Sequence, residues 1–191
     1  MPLSNRELMV AYQQGDPEAF AVLYDRHSRA LVNYFYKMCY DRALSEDLMQ
    51  ETWLRVIRSR ERYEPKATFK TFLFTVATNL FIDRHRSQKS APKTVSTDLP
   101  VREEGATVGD LVESRGRSTG DQVEDREAAA LVQEALQQLP EGQRQVFLLA
   151  ESQGLKYREI SEILGIPVGT VKSRMNAAIT QLRGMLGRAL G

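Results

Sequence analysis

Apolar residues recur at intervals of three and four along most of the chain, which is the spacing that gives an α-helix one buried face. Two stretches carry this pattern, residues 1–88 and residues 123–191. Between them, residues 89–122 are rich in Ser, Thr, Gly, Pro and charged residues without a sustained period, as is typical of a linker. No run alternates apolar and polar residues for long enough to predict a β-strand. The pattern therefore predicts an all-α fold of two small helical domains joined by a flexible linker.

Several helix starts carry residues that satisfy free backbone N–H groups. Ser4 and Glu7 have the spacing of a capping box. Asp16 followed by Pro17 combines an N-cap with a proline at the first helical position. We expect further N-caps at Ser45 and Thr68.

The helical period also predicts which side chains form the core. In the first domain the expected buried residues are Phe20, Leu23, Tyr24, Leu31, Phe35, Met38, Met49, Trp53, Val56, Ile57, Phe72, Leu73, Val76 and Leu80. In the second domain they begin with Val132, Ala135, Leu136 and Leu139 and continue with Val146, Phe147 and Leu149 after Pro140, which opens the next helix.

Residues 154–182 predict two helices separated by a glycine turn. Gly165 fits the left-handed position that ends a helix. The first helix has one apolar face, and the second repeats apolar residues at Val171, Met175, Ala178 and Leu182. Small polar and basic residues begin the second helix, as in a helix-turn-helix, where this end faces the major groove of DNA. A packed helical hairpin with solvated charges has the same spacing, so the local pattern leaves both open.

Charge restricts where nucleic acid could bind. The 191 residues carry a formal net charge of +1, which excludes a uniformly basic surface and requires a local patch. Residues 52–90 hold nine Lys and Arg against three Asp and Glu, with aromatic residues between them. Cationic groups and planar rings together suit single-stranded DNA. The alternative is that the rings form core, which we expect for Phe72 from its spacing but not for Phe74 and Phe81.

Several other classes of function find no support in the sequence. One cysteine, Cys39, and two separate histidines exclude an intrachain disulfide and predict no metal site. No phosphate-binding loop or nucleophile motif predicts an enzyme or a cofactor. The N-terminus does not resemble a signal peptide, and no apolar run approaches the roughly 20 residues of a membrane span, so we expect a soluble cytoplasmic protein.

Two segments in order resemble one family. "GLKYREISEILGIPVGTVKSRM", residues 154–175, is similar to region 4 of sigma factors of the extracytoplasmic-function (ECF) group and also to the DNA-binding domain of LuxR-type response regulators. "LSEDLMQETWLRVIRSRERYEPKATFKTFLFTVATNLFIDRHRSQK", residues 44–89, resembles sigma region 2, which response regulators lack. The resemblance implies region 2 over residues 1–88 and region 4 over residues 123–191.

The resemblance also implies roles for particular residues. The function would be that of a sigma factor, a non-enzymatic subunit that brings RNA polymerase core to promoters and helps to melt them. The implied polymerase-core contacts are Asp47, Gln50, Glu51 and Leu54. The implied contacts to the −10 promoter element are Arg58, Tyr63, Lys66, Phe69, Lys70, Asn79, Arg84 and Arg86. The implied contacts to the −35 element are Lys156, Thr170, Lys172, Ser173, Arg174 and Asn176.

This chain departs from the family in two places. The family usually has arginines where this chain has Thr75 and Thr78, and basic residues where residues 175–179 read "MNAAI". Fewer phosphate contacts are therefore expected at both positions. Members of the group are often held inactive by an anti-sigma partner, which is the further partner that the resemblance implies. The alternative function is a stand-alone helix-turn-helix regulator, which would not copurify with polymerase core.

Overall fold

The computed structural model describes residues 3–64, 67–90 and 119–189, with side chains described except at 88–90, 119–128 and 189. Residues 91–118 of the predicted linker and the predicted −10 contact Lys66 lie outside the described residues. The helices of the described ranges are α1 (Asn5–Gln13), α2 (Pro17–Cys39), α3 (Arg42–Ser59), α4 (Phe69–Ser90), α5 (Thr119–Gln138), α6 (Glu141–Phe147), α7 (Tyr157–Leu164) and α8 (Val168–Ala189). A 3₁₀ turn, Arg60–Arg62, follows α3, and a π-helical turn, Leu148–Ser152, follows α6.

The predicted all-α class is confirmed, since these three ranges contain no strand. None of their helices is long and apolar enough to cross a membrane. Helix α4 continues to Ser90 and α5 begins at Thr119, so helical structure reaches into both ends of the stretch predicted as linker.

Local capping explains where the first helices begin. The Glu7 N–H donates to Ser4 Oγ at 3.3 Å and the Ser4 N–H donates to Glu7 Oε2 at 2.8 Å, which confirms the predicted capping box. Asp16 caps α2 as predicted, with its Oδ1 accepting from the Glu18 N–H at 2.9 Å. These two caps depend only on neighbouring residues, and sequence therefore suffices to find them.

The prediction that Ser45 caps α3 is wrong. Asp41 caps this helix, and its Oδ1 accepts from the Leu44 N–H at 2.9 Å. Ser45 is buried inside the first turn, where its hydroxyl donates to the Asp41 carbonyl at 2.5 Å. The left-handed conformation of Tyr40, with φ of 57°, ends α2, and Asp41 follows in an extended conformation, so α3 begins at Arg42 and Ser45 falls inside it.

The core of the first half lies between α2, α3 and α4 and is close to the predicted one. Tyr24 and Ile57 were predicted to be buried, but both side chains are exposed. Phe74 and Phe81, which spacing had left available for DNA, are buried at 0% and 6% exposure. They are buried because α4 packs against α2 and α3 on one side and α7 on another, which leaves it little free surface.

The second half contains the predicted pair of helices. Gly165 takes a left-handed conformation with φ of 62° and ends α7. The predicted apolar residues of α8 are all buried, namely Val171, Met175, Ala178 and Leu182. The Ser161 hydroxyl donates to the Ile166 carbonyl at 2.5 Å and holds the turn between α7 and α8. Val132 is 42% exposed, so the buried stripe of α5 is shorter than predicted.

Candidate functional site

A continuous outer face of α3 carries the predicted polymerase contacts. Asp47, Gln50 and Leu54 are exposed, and they line a shallow groove against Arg84 and Asp83 of α4. Leu54 is 45% exposed although it is a large apolar side chain. This face offers a carboxylate, an amide and an exposed leucine to a partner, a mixture of polar and apolar groups that protein interfaces use.

Glu51 differs from its neighbours on this face because it already has cationic partners. Its Oε1 lies 3.2 Å from Arg55 Nε and 3.9 Å from Arg58 NH1. Among the described residues, the side chains of Asp47 and Gln50 have no hydrogen-bond or ion-pair partner. These two residues are therefore the ones available to an incoming partner without breaking an existing contact.

The two aromatic residues assigned to the −10 element are packing residues in this structure. Tyr63 is 6% exposed and meets Phe72 edge-on, with ring centroids 5.1 Å apart. Phe69 is 2% exposed and lies against His27, with ring centroids 5.4 Å apart. Neither ring has a face free for a DNA base, so the structure does not support a stacking role for them in this conformation.

The remaining described residues assigned to the −10 element are not together on one surface. Asn79 and Arg86 are exposed, whereas Arg84 borders the groove on α3. Arg58 is exposed at the end of α3, beside Glu51. Lys70 is half-buried, and its ammonium donates to the Gln153 carbonyl in the loop before α7. Of the assigned residues on α4, Asn79 and Arg86 are thus exposed and lie outside the α3 groove.

The start of α8 presents most of the residues assigned to the −35 element. Lys172, Ser173 and Asn176 are exposed, and Thr170 is half-buried. The Ser173 hydroxyl donates to the Thr170 carbonyl at 3.0 Å. Lys156, the N-cap residue of α7, is also exposed. These positions fit a recognition helix that enters a major groove by its first turns.

Arg174 is the exception in this helix. It is half-buried, and its guanidinium lies over Gly142 at the start of α6, where an added Cβ would come within 3.1 Å of NH1. It lines a cleft between α4, α6 and α8 that also holds Arg86 and His85. In this conformation Arg174 therefore packs against the protein and does not point into solvent.

Sequence reasoning missed a row of threonines on α4. Thr68, Thr71, Thr75 and Thr78 follow the three-and-four spacing of one helix face, and this face lies against the second half of the chain. Thr71 and Thr78 are buried at 3% and 0% exposure. A stripe of small polar residues on a helix with apolar residues on its other sides is the signal that could have revealed a second packing surface.

Glu159 of α7 meets this threonine row. Its Oε1 accepts from Thr71 Oγ1 at 2.9 Å and from Thr68 Oγ1 at 3.2 Å, and its Oε2 accepts from the Lys156 N–H at 2.9 Å. Burial by itself would raise the pKa of the Glu159 carboxyl, but these hydrogen bonds together lower it below its ordinary value. The carboxylate is thus held in its charged form at the contact.

Two family models match the chain in the predicted order. Sigma-70 region 2 matches residues 23–91, and Sigma-70, region 4 matches residues 129–182. Together with the relatives below, these matches show that the chain belongs to the sigma-70 family, in its ECF group. The function expected from the sequence, an RNA polymerase sigma factor, is confirmed, and a stand-alone regulator is not favoured.

Curated relatives are similar over nearly their whole length. The chain is 32% identical to RNA polymerase sigma factor CarQ of Myxococcus xanthus over 179 residues, covering 94% of this chain and 95% of CarQ. It is 32% identical to ECF RNA polymerase sigma factor SigW of Bacillus subtilis over 174 residues, covering 91% of this chain and 92% of SigW.

Solved structures share the fold at lower identity. CnrH, solved in complex with the cytosolic domain of CnrY, has a TM-score of 0.69 at 22% identity and covers 96% of this chain and 97% of that one. The sigma factor RpoE, solved with the anti-sigma factor NepR from Bartonella quintana, has a TM-score of 0.63 at 22% identity, with coverages of 88% and 96%. The chain therefore shares its fold with these two proteins.

Proposed function

We propose that this sigma factor docks on polymerase core through the outer face of α3, with Asp47, Gln50 and Leu54 in contact and Glu51 at the margin. The observation that carries the proposal is the exposure of this face, which combines unpaired polar groups with an uncovered leucine. Carboxylates suit a basic partner surface and favour fast, specific encounter. Since Glu51 is already shared with Arg55 and Arg58, Asp47 and Gln50 contribute most of the polar contact.

Promoter DNA is the second partner in this proposal. Asn79 and Arg86 approach the −10 element, because both are exposed polar residues of α4 that do not line the α3 groove. Lys172, Ser173 and Asn176 approach the −35 element from the start of α8. The division into region 2 over residues 1–88, a linker over 89–122 and region 4 over 123–191 belongs to the same proposal.

The chain acts in this proposal as a specificity subunit without catalytic chemistry of its own, in the cytoplasm where polymerase works. Known sigma factors are non-catalytic initiation factors. An anti-sigma factor remains a prediction from the family resemblance.

Run-off transcription tests the proposed function. Purified chain is added to bacterial RNA polymerase core on genomic fragments, and the transcripts are sequenced. We expect discrete start sites that share −10 and −35 sequences and are absent with core alone. Copurification of the chain with core, without start-site selection, would contradict the proposed promoter role and leave only the docking role.

Asn79→Ala is expected to relax base preference at one −10 position. The exposed amide can donate to and accept from a base edge, and loss of one neutral hydrogen bond is worth about 1 kcal/mol. The measurement is transcription from a set of promoters that vary singly at each −10 position. A uniform loss on all of them would show instead that Asn79 supports folding or a phosphate contact.

A further inference from the structure

Regions 2 and 4 are joined by polar contacts that are partly buried. Glu159 of α7 accepts hydrogen bonds from Thr68, which directly precedes α4, and from Thr71 of α4, at 3.2 Å and 2.9 Å. Charge-assisted hydrogen bonds are among the stronger polar contacts in proteins, and the bond from Thr71 is partly buried. This contact therefore fixes α7 at the N-terminal end of α4, where the threonine row begins.

A second buried contact lies farther along the same face. Tyr34 of α2 is 1% exposed, and its hydroxyl lies 3.3 Å from Thr78 Oγ1 and 3.4 Å from Gln145 Nε2 of α6. Gln145 is itself 5% exposed. Because a buried amide without a partner is costly, the Tyr34 hydroxyl of region 2 gives the buried Gln145 amide of region 4 a hydrogen-bond acceptor.

The contact between the regions also occupies residues assigned to DNA. The Lys70 ammonium, assigned to the −10 element, donates to the Gln153 carbonyl of region 4. Arg174, assigned to the −35 element, lies in the cleft between the regions, near His85, which forms a 3.2 Å contact with Glu141. The closed arrangement therefore withdraws Lys70 of region 2, whereas Arg174 is held over Gly142 within region 4 and lines the cleft between the regions.

We propose that regions 2 and 4 of the free chain stay packed together through the hydrogen bonds of Glu159 to Thr68 and Thr71, here called the latch. DNA then competes with region 4 for the surface of region 2 that this contact covers. The proposal rests on the promoter-binding role argued above and adds a regulation of that role. Region 4 covers the threonine face of α4, so DNA reaches Thr75 and Lys70 only after α7 has moved away. The apparent DNA affinity of the free chain is then lowered by the fraction of molecules that are closed.

The test compares two charge-matched variants of the full chain. Glu159→Gln keeps the size of the side chain but removes the charge and one of its acceptor oxygens. Glu162→Gln removes the same charge from an exposed residue of the same helix, whose side chain makes no hydrogen bond to α4 among the described residues. Any general gain in DNA affinity from the lost negative charge appears in both, and only Glu159→Gln loosens the latch.

Binding to a labelled single-stranded DNA of mixed sequence is measured by fluorescence anisotropy at several salt concentrations, without polymerase. We expect Glu159→Gln to bind about three- to tenfold more tightly than Glu162→Gln, the factor for replacing a charge-assisted hydrogen bond of the closed state by a neutral one. The slope of log affinity against log salt should steepen by about 0.7 if Lys70 gains a phosphate. Equal affinities and slopes for the two variants would overturn the proposal.

A second variant and a second readout keep the test independent of charge. Thr71→Val removes a donor to Glu159 without changing charge or volume and is expected to increase DNA affinity in the same direction. Spin labels at the exposed positions Asp25 and Arg158, in a Cys39→Ser background, report the distance between the regions. One narrow distance in the parent and a broad distribution in Glu159→Gln support the latch, whereas a broad distribution in the parent overturns it.

The outcomes separate this inference from the proposed function. The anisotropy and spin-label measurements contain no polymerase and no chosen promoter, so they can fail while run-off transcription with core succeeds. Conversely, a chain that closes as described but directs no transcription with core would contradict the proposed function and leave the latch intact.

Discussion

Joint replacement of Asp47 and Gln50 with alanine is expected to weaken binding to polymerase core by about 10- to 100-fold, the range for truncating central contacts of an interface. Both side chains are exposed and unpaired among the described residues, so the native fold loses no contact when they are removed. Helicity and the melting temperature should therefore remain close to those of the parent. Core affinity is measured by fluorescence with labelled sigma factor, and folding by circular dichroism.

A control on the same helix separates docking from general charge effects. Glu46 is exposed and pairs with Arg42 across one helical turn at 3.1 Å, outside the proposed docking face. Glu46→Ala should leave core affinity nearly unchanged because Glu46 lies outside the docking face. It should also leave the fold intact, because exposed pairs of this kind contribute only about 0.3–0.5 kcal/mol to stability. Normal core binding by the Asp47 and Gln50 double variant would remove the case for this face.

Arg174→Ala is expected to reduce transcription that depends on the −35 element by about tenfold or more. If α8 enters the major groove, the guanidinium can make two parallel hydrogen bonds to guanine, a contact worth about 1–3 kcal/mol. In the closed chain this group lies over Gly142, so reading DNA requires it to leave the cleft. Transcription from a promoter supplied already melted should be spared, because region 2 reads the opened strand.

Two other basic residues of α8 serve as comparisons. Arg183 is exposed farther along the helix, and Arg183→Ala should have little effect on −35 dependence. Lys172→Ala should weaken binding evenly across −35 sequences and reduce the salt slope by about one, as expected for a phosphate contact. Equal losses on intact and already melted promoters in Arg174→Ala would show that this arginine only braces α8 against α6.

The positions of many helices could be predicted from the sequence because the interactions that start, end and orient a helix are local. The cap at Asp16, the glycine at 165 and the apolar repeat from Val171 to Leu182 each depend on residues within a few positions. A helix buried on one side has only one consistent choice of inner face. These features are therefore readable from the spacing alone.

The errors fall where two candidates compete or a helix has more than one covered side. Asp41 and Ser45 are both good N-caps, and α3 starts from Asp41, which directly follows the left-handed residue Tyr40. Phe74 and Phe81 lie off the predicted inner face of α4 but are buried all the same. Periodicity identifies one buried face of a helix. It cannot show that another helix covers a second face of the same helix.

By itself the sequence determined that the chain is all-helical, that its second half holds two helices joined by a glycine turn, and that its two motif blocks resemble those of a sigma factor. Only the tertiary structure decided which assigned residues are available. It buried Tyr63 and Phe69, engaged Lys70 with the Gln153 carbonyl and placed Arg174 over Gly142. The physical reason is that the deciding contacts join residues far apart in the sequence. Thr71 and Glu159, for example, form a hydrogen bond although they are 88 positions apart. Neither local propensity nor helical period carries information about such a partner.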